Sequence, residues 1–273
     1  MDLNNGGIGD TVFCAVDVET SGLYMGSRLV ELGAVRFSMA GTIDEYHTLV
    51  DPMEPIQQGA IDIHGITDDM VCGCPQPAEV VRNFTDYLGD AVFIAHNARF
   101  DVRVIGMELA RAGMAAPANH VVDTVLLARR TFPGMPNYRL GTVSHYLGVA
   151  QDTHHRGLPD AAAAMDIFRC CLEVMPASTC VDEVPGYLGS FTDLAPRIDM
   201  EFSGAASDLV VLAERKVVVE MVYEGGSSPG VPRMITPLQV FGQGACEYFR
   251  AYCHRSGMVK TFRLDRVIEL RLP

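Results

Sequence analysis

The chain has 273 residues, 48% of them hydrophobic and 20% charged, enough for one large buried core or two modest ones. Its net charge is −13, and residues 1–196 carry −14 against +1 for residues 197–273, which speaks against a broadly basic protein gripping duplex nucleic acid non-specifically. The sequence holds no apolar run of bilayer length and no basic-then-apolar leader, so it predicts a cytoplasmic protein with no membrane partner. The eight cysteines are scattered, and Cys72-Gly73-Cys74 has no second pair at zinc-site spacing, so they read as reduced thiols.

Residues 11–17 read as a central strand, 28–37 as a second and 46–50 as a third, with a turn at Gly41. Three consecutive strands on short turns predict an antiparallel meander. Residues 56–63 form a short helix. Residues 77–88 form a longer one, with Val80, Val81, Phe84 and Leu88 on one face. Residues 91–95 are a short buried strand, 102–112 a helix stopped by Gly113, and 121–122 a strand that runs into a helix ending near Arg130. Helices follow at 139–147 and from Asp160 to about Val174. A meander followed by strand–helix alternation predicts an α/β mixed sheet covered by helices. Residues 176–196 lack a period and read as linker. Beyond them, 209–213 is a short helix or strand. Strands at 216–223, 233–240, 246–253, 259–264 and 265–270 then suggest a small barrel.

The chemistry starts at Asp17 and Glu19. On a strand, residues i and i+2 point to the same face, so these carboxylates project together. Side by side they repel, and burying them unpaired is costly. A divalent cation relieves both problems, and hard oxygen donors suit Mg²⁺ or Mn²⁺. Alone, the pair reads better as a polar strand end, since the pattern is common by chance. Three further signals give it weight. Asp101 stands just past a strand and opens a helix. His155 precedes Asp160 by five residues at another helix start, a spacing that sets the acid among the others and the imidazole on a loop above them. Each motif also lies at an element end, and ends of neighbouring strands converge. Carboxylates with one His and no Cys nucleophile suit phosphodiester hydrolysis. Two cations about 3.5–4 Å apart would stabilise the attacking and leaving oxygens, and an imidazole with an ordinary pKa of about 6.5 would take the water proton.

This set resembles the DEDDh family of 3′–5′ exonucleases, related to proofreading subunits of bacterial replicative polymerases and to RNase T-like nucleases. Asp17-Val18-Glu19-Thr20-Ser21-Gly22-Leu23 is similar to the family's first motif, His96 to Asp101 to its second, and His155 to Asp160 to its third. His64-Gly65-Ile66-Thr67, Val122-Asp123-Thr124 and Tyr138-Arg139-Leu140 are secondary echoes. The resemblance implies a ribonuclease H-like fold over residues 8–176. It implies Asp17, Glu19, Asp101 and Asp160 as catalytic acids holding two Mg²⁺ or Mn²⁺ ions, with His155 as general base. Val18, Thr20 and Leu23 would bracket the terminal nucleotide of single-stranded DNA or RNA, with His64 and Phe100 as further substrate contacts. Phe100 reads equally as a core aromatic. His154 is assigned to solvent, His96 and Asn97 to shaping the loop, and Asp123 to capping a helix.

After a linker at 177–200, residues 201–273 resemble a WYL domain, a small SH3- or Sm-like β-barrel. The match lies in Val222-Tyr223, in the Ile235-Thr236-Pro237-Leu238 segment, in Tyr248 to Cys253 and in Phe262 to Arg266. The Trp-Tyr-Leu signature is altered to Glu247-Tyr248-Phe249. The resemblance implies a nucleic-acid or nucleotide ligand on a patch of Arg233, Tyr248, Arg250, Tyr252, Arg263 and Arg266. These residues fit equally a barrel core with arginines paired to Glu220, Glu247 or Asp265. A nucleic-acid sensor in which this domain regulates or targets the nuclease fold is the alternative to a DNA-repair or RNA-turnover exonuclease. Oligomeric state is left open.

Overall fold

The computed structural model describes residues 7–23, 26–149, 155–198, 204–226 and 228–272. His154 lies outside them. The chain divides into two compact units with the boundary at Ala195–Pro196.

The first unit is built on a six-stranded mixed sheet in the order β3-β2-β1-β4-β5-β6. Its strands are β1 (Phe13–Thr20), β2 (Leu29–Ser38), β3 (Gly41–Leu49), β4 (Val92–Ala95), β5 (His120–Asp123) and β6 (Tyr187–Ser190). The first three form the antiparallel meander, and β1 then pairs in parallel with β4, and β4 with β5. The connecting helices are α1 (Gln58–His64), α2 (Asp68–Val71), α3 (Pro77–Leu88), α4 (Arg99–Arg111), α5 (Thr124–Thr131), α6 (Leu140–Leu147), α7 (Gly157–Leu172) and α8 (Phe191–Leu194). Cys14, Val16 and Val18 of β1 pack on one face with α3 and α4. Phe13 and Ala15 pack on the other face with α5 and α7, where Phe13, Phe37 and Phe168 cluster at centroid separations of 4.9–6.0 Å. Both faces of β1 are covered, so its sequence is apolar throughout until the acids interrupt it. The mixed α/β architecture is the one the element order predicts, and it is ribonuclease H-like as the resemblance implies.

Two expectations are corrected. The stretch read as linker holds β6 and α8. Asn119 O accepts from Phe191 N–H at 2.8 Å, and Phe191 is fully buried against Phe93. Its composition reads as turn because β6 is a four-residue edge strand with Gly189 at φ +99°. The second correction concerns the C-terminal barrel. That unit has α9 (Ala205–Glu214), β7 (Val219–Tyr223), β8 (Arg233–Gln243), β9 (Cys246–Cys253), β10 (Met258–Arg263) and β11 (Val267–Arg271). The strands form an antiparallel sheet in the order β10-β9-β8-β7-β11. Among the described residues no pairing joins β10 to β11, so the sheet is open. Ala206 and Leu209 of α9 close its core over Val219, Met221, Ile235, Phe249 and Phe262.

Candidate active site

Four acids reach one end of the first sheet. β1 continues past Asp17 and Glu19 to Thr20, so both sit within the strand, opposite Gly33 and Glu31 of β2. Both are half-buried, while Val18 between them points into the opposite core at 3% exposure. Asp101 is the third residue of α4, where the helix dipole favours a carboxylate. Its Oδ1 accepts from the Val18 N–H at 3.2 Å, and Asp101 is 2% exposed. Asp160, in the first turn of α7 and 5% exposed, accepts from the His155 N–H at 2.9 Å through Oδ2. His155 is exposed and holds a left-handed backbone at φ +58°. Donor atoms of Glu19, His155 and Asp160 lie within 4.8 Å of one another.

The electrostatics follow from this crowding. Burial first, and then the charges of Asp101, Glu19, Asp160 and Glu31, push the Asp17 carboxyl far above the ordinary range. Burial likewise raises Asp101 against the hydrogen bonds it accepts from its own N–H and that of Val18. Glu19 is pushed up to about 8 by burial, then by Glu31 and Asp160, with Arg156 opposing. Acids whose pKa values are raised by burial and by one another's charge, facing an exposed imidazole, are a fitting donor set for a divalent cation, which removes the repulsion as it binds.

The other predicted residues divide. Leu23 is 70% exposed beside the acids' strand, and the Thr20 hydroxyl turns to the Gly22 carbonyl at 2.9 Å. Phe100 is half-buried against the α3–α4 core, with the Arg103 guanidinium 5.3 Å from its centroid. His64 is buried, and both ring nitrogens are engaged. Ile66 N–H donates to Nδ1 at 3.0 Å, which leaves the Nε2 proton for the Thr20 carbonyl at 3.1 Å. Burial lowers its pKa, so a neutral His64 pins the end of β1. The His96 ring bridges Thr124 Oγ1 and the Tyr138 carbonyl, and Asn97 supplies a left-handed turn at φ +74°. Asp123 caps α5 by accepting from Val125 and Leu126.

Sequence reading missed Glu31, which is fully buried and bonded to Arg156, His47 and the Gly157 N–H. It also missed the crossing of Gly33 and Gly157, where a Cβ on Gly33 would fall inside the backbone of Gly157 and Leu158. The available signal was a single carboxylate in the apolar run Leu29 to Phe37.

In the second unit, Tyr248, Arg250 and Tyr252 alternate along β9 on the face away from Phe249, Ala251 and Cys253. Arg263 stands opposite Tyr248, so these four share one face. Arg233 lies in step with the core residue Ile235, Arg266 falls in the turn before β11, and Arg250 is 5% exposed, so of the six predicted residues Tyr248, Tyr252 and Arg263 reach the surface together on this face.

The sequence model of the exonuclease family that includes RNase T matches residues 14–168. The chain belongs to that family. A WYL-domain model matches residues 208–272, so a member of that exonuclease family is joined to a WYL domain. Such exonucleases generally use divalent metals. The PolC-type DNA polymerase III of Halalkalibacterium halodurans is 37% identical over 155 residues, 56% of this chain and 11% of that protein. That of Listeria welshimeri is 36% identical over 158 residues, 58% and 11%. The chain thus spans about a tenth of the length of these relatives. Among solved structures, exonuclease X in complex with 5′ overhanging duplex DNA is 26% identical with a TM-score of 0.50, covering 60% of this chain and 92% of that one. The nuclease domain of 3′hExo, a DEDDh family member bound to rAMP, shares the fold at 16% identity and a TM-score of 0.54, covering 62% and 95%. Among the described residues no helix is long and apolar enough to cross a membrane.

Proposed function

We propose that the exonuclease acts on the 3′ end of single-stranded DNA or RNA and releases nucleoside 5′-monophosphates, using two Mg²⁺ or Mn²⁺ ions. The convergence of Asp17, Glu19, Asp101 and Asp160 beneath His155 carries this reading. The four carboxylates would hold the cations, which when bound neutralise charge on the phosphate and acidify the attacking water. His155 takes the proton of the water whose oxygen bonds to phosphorus as the 3′-oxygen leaves, and its exposed ring passes that proton to solvent. The bond from His155 N–H to Asp160 holds base and acid in one frame. The backbone around Val18, with Thr20 and the exposed Leu23, flanks the terminal nucleotide, and Phe100 borders it. Eight free cysteines favour work in a reducing cytoplasm, in repair or in RNA and oligonucleotide turnover.

End-labelled single strands of matched DNA and RNA, digested with Mg²⁺ and with Mn²⁺, test the reading. Asp17→Ala and Asp160→Ala should each abolish mononucleotide release while the protein stays folded. Undiminished release by either folded variant sinks it.

A second role is supported by the surface face shared by Tyr248, Tyr252 and Arg263: a nucleic-acid or nucleotide ligand there would target or regulate the nuclease. Titration of the full chain carrying Asp17→Ala with short single strands, with and without Tyr252→Ala, tests it. Identical affinity removes the face from binding.

A further inference from the structure

We infer that Glu31 is a positioning residue that locks the turn before α7, so that His155 and Asp160 keep their places opposite Glu19. The inference rests on the assignment of His155 and Asp160 given above. Glu31 stands directly across β1–β2 from Glu19. Two carboxylates at one cross-strand position repel, and a buried Glu with no catalytic contact has no reason to be there on packing grounds. Its oxygens are used instead. Oε1 accepts from Arg156 Nη2 at 2.8 Å and from Nε at 3.1 Å, and Oε2 lies 3.2 Å from the same Nε, so the guanidinium fork is matched edge to edge. Oε2 accepts from the Gly157 N–H at 2.8 Å, and His47 Nε2 lies 2.8 Å from Oε1. Burial works against the carboxylate, but these hydrogen bonds, Arg156 foremost, hold its pKa below the ordinary value.

The residues it grips are the two between His155 and the body of α7. Arg156 follows His155 directly, and Gly157 is the first residue of α7, three before Asp160. The left-handed backbone of His155 needs its surroundings to hold it. The same turn is pressed against β2, where a Cβ on Gly157 would come within 2.8 Å of Gly33 N and 3.3 Å of the Asp17 carbonyl. Gly33 and Gly157 set how close the helix start comes to the acids, and Glu31 sets its rotation and the path of the turn.

A purely structural Glu31 and a positioning Glu31 differ in what Arg156 does. The Arg156 side chain is 37% exposed, so Arg156→Met spares the core and removes only the fork. Glu31→Gln keeps the shape and loses the charge. Both should lower kcat on the order of 10–100-fold with KM little changed, weaken Mn²⁺ binding about tenfold, and together do little more than either alone. Both should also speed deuterium exchange across residues 155–160 in the full chain, a readout independent of turnover. Exchange and Mn²⁺ affinity at wild-type values in Arg156→Met, with Glu31→Gln lowering only Tm, overturn the clamp. If the wild-type protein releases no nucleotide, the exonuclease reading fails, and deuterium exchange alone still decides the clamp.

Discussion

In the first unit, Asp17, Glu19, Asp101 and Asp160 come from three elements far apart in sequence and meet with one guanidinium, that of Arg156, at their margin. In the second unit charges settle near home. Arg263 forks onto Asp265 two residues away, and Arg271 onto Glu269 in the same way. Local opposite-sign pairs at the surface cost the fold nothing and are expected of any solvated face. A like-sign cluster assembled by long-range topology works against folding, and a bound partner of opposite charge accounts for it.

The comparison breaks most readily at His155. Its ring adds nothing to the core, so His155→Ala should lower kcat roughly 10²–10⁴-fold, leaving Tm and Mn²⁺ binding largely intact. Loss of the fold along with activity would show that the imidazole supports the turn, in which case the acids lose their base. Gly33→Ala comes next. The new methyl would collide with the backbone at Gly157 and Leu158 rather than with a side chain that could move. A cost of about 1–3 kcal/mol is expected for such overpacking, read as a lower Tm, with activity falling further because Asp160 moves with the helix. A variant of unchanged Tm and rate would mean the close approach does not set the site.

Stability against pH separates the units without mutation. Glu19 has a folded pKa of about 8, against about 4.3 for an unfolded Glu. Between these values the folded state binds the extra proton, so stability is greatest below about 4.3 and is lost as pH rises toward 8, then levels off. The raised pKa values of Asp17 and Asp101 act in the same direction. Metal-free protein should therefore show a falling Tm from pH 5 to 8, and Mn²⁺ should raise Tm more at pH 8 than at pH 5. A metal-free Tm that climbs over this range would mean the acids are relieved by some other group.

The sheet and its acids were legible because period and polarity agree. The apolar run from Phe13 to Val16 ends in two same-face acids, and the H-x₄-D spacing puts Asp160 into a helix start. What was hidden depends on pairing across distance. Glu31 meets partners 16 and 125 residues away, so its place in an apolar run marks it as unusual without telling what holds it. His64 was assigned by the resemblance of its motif, whereas its lowered pKa and two engaged nitrogens come from the packed end of β1. The open second sheet was misjudged for a similar reason. Strand spacing counts strands, and closure depends on whether β10 reaches β11.

The smallest effect tests whether the second unit is as locally settled as its ion pairs suggest. Arg263 is bonded to an exposed neighbour two residues away, so Arg263→Ala should leave Tm unchanged. It also stands opposite Tyr248, on the face with Arg250 and Tyr252. If that face takes a single strand, the same variant should weaken binding by the full chain and flatten the salt dependence, since one phosphate contact disappears. Unchanged affinity and slope would leave Arg263 a solvated pair, and the contrast between the units would stand in its strongest form, with one gathering like charges from distant elements and the other forking its surface arginines onto near neighbours.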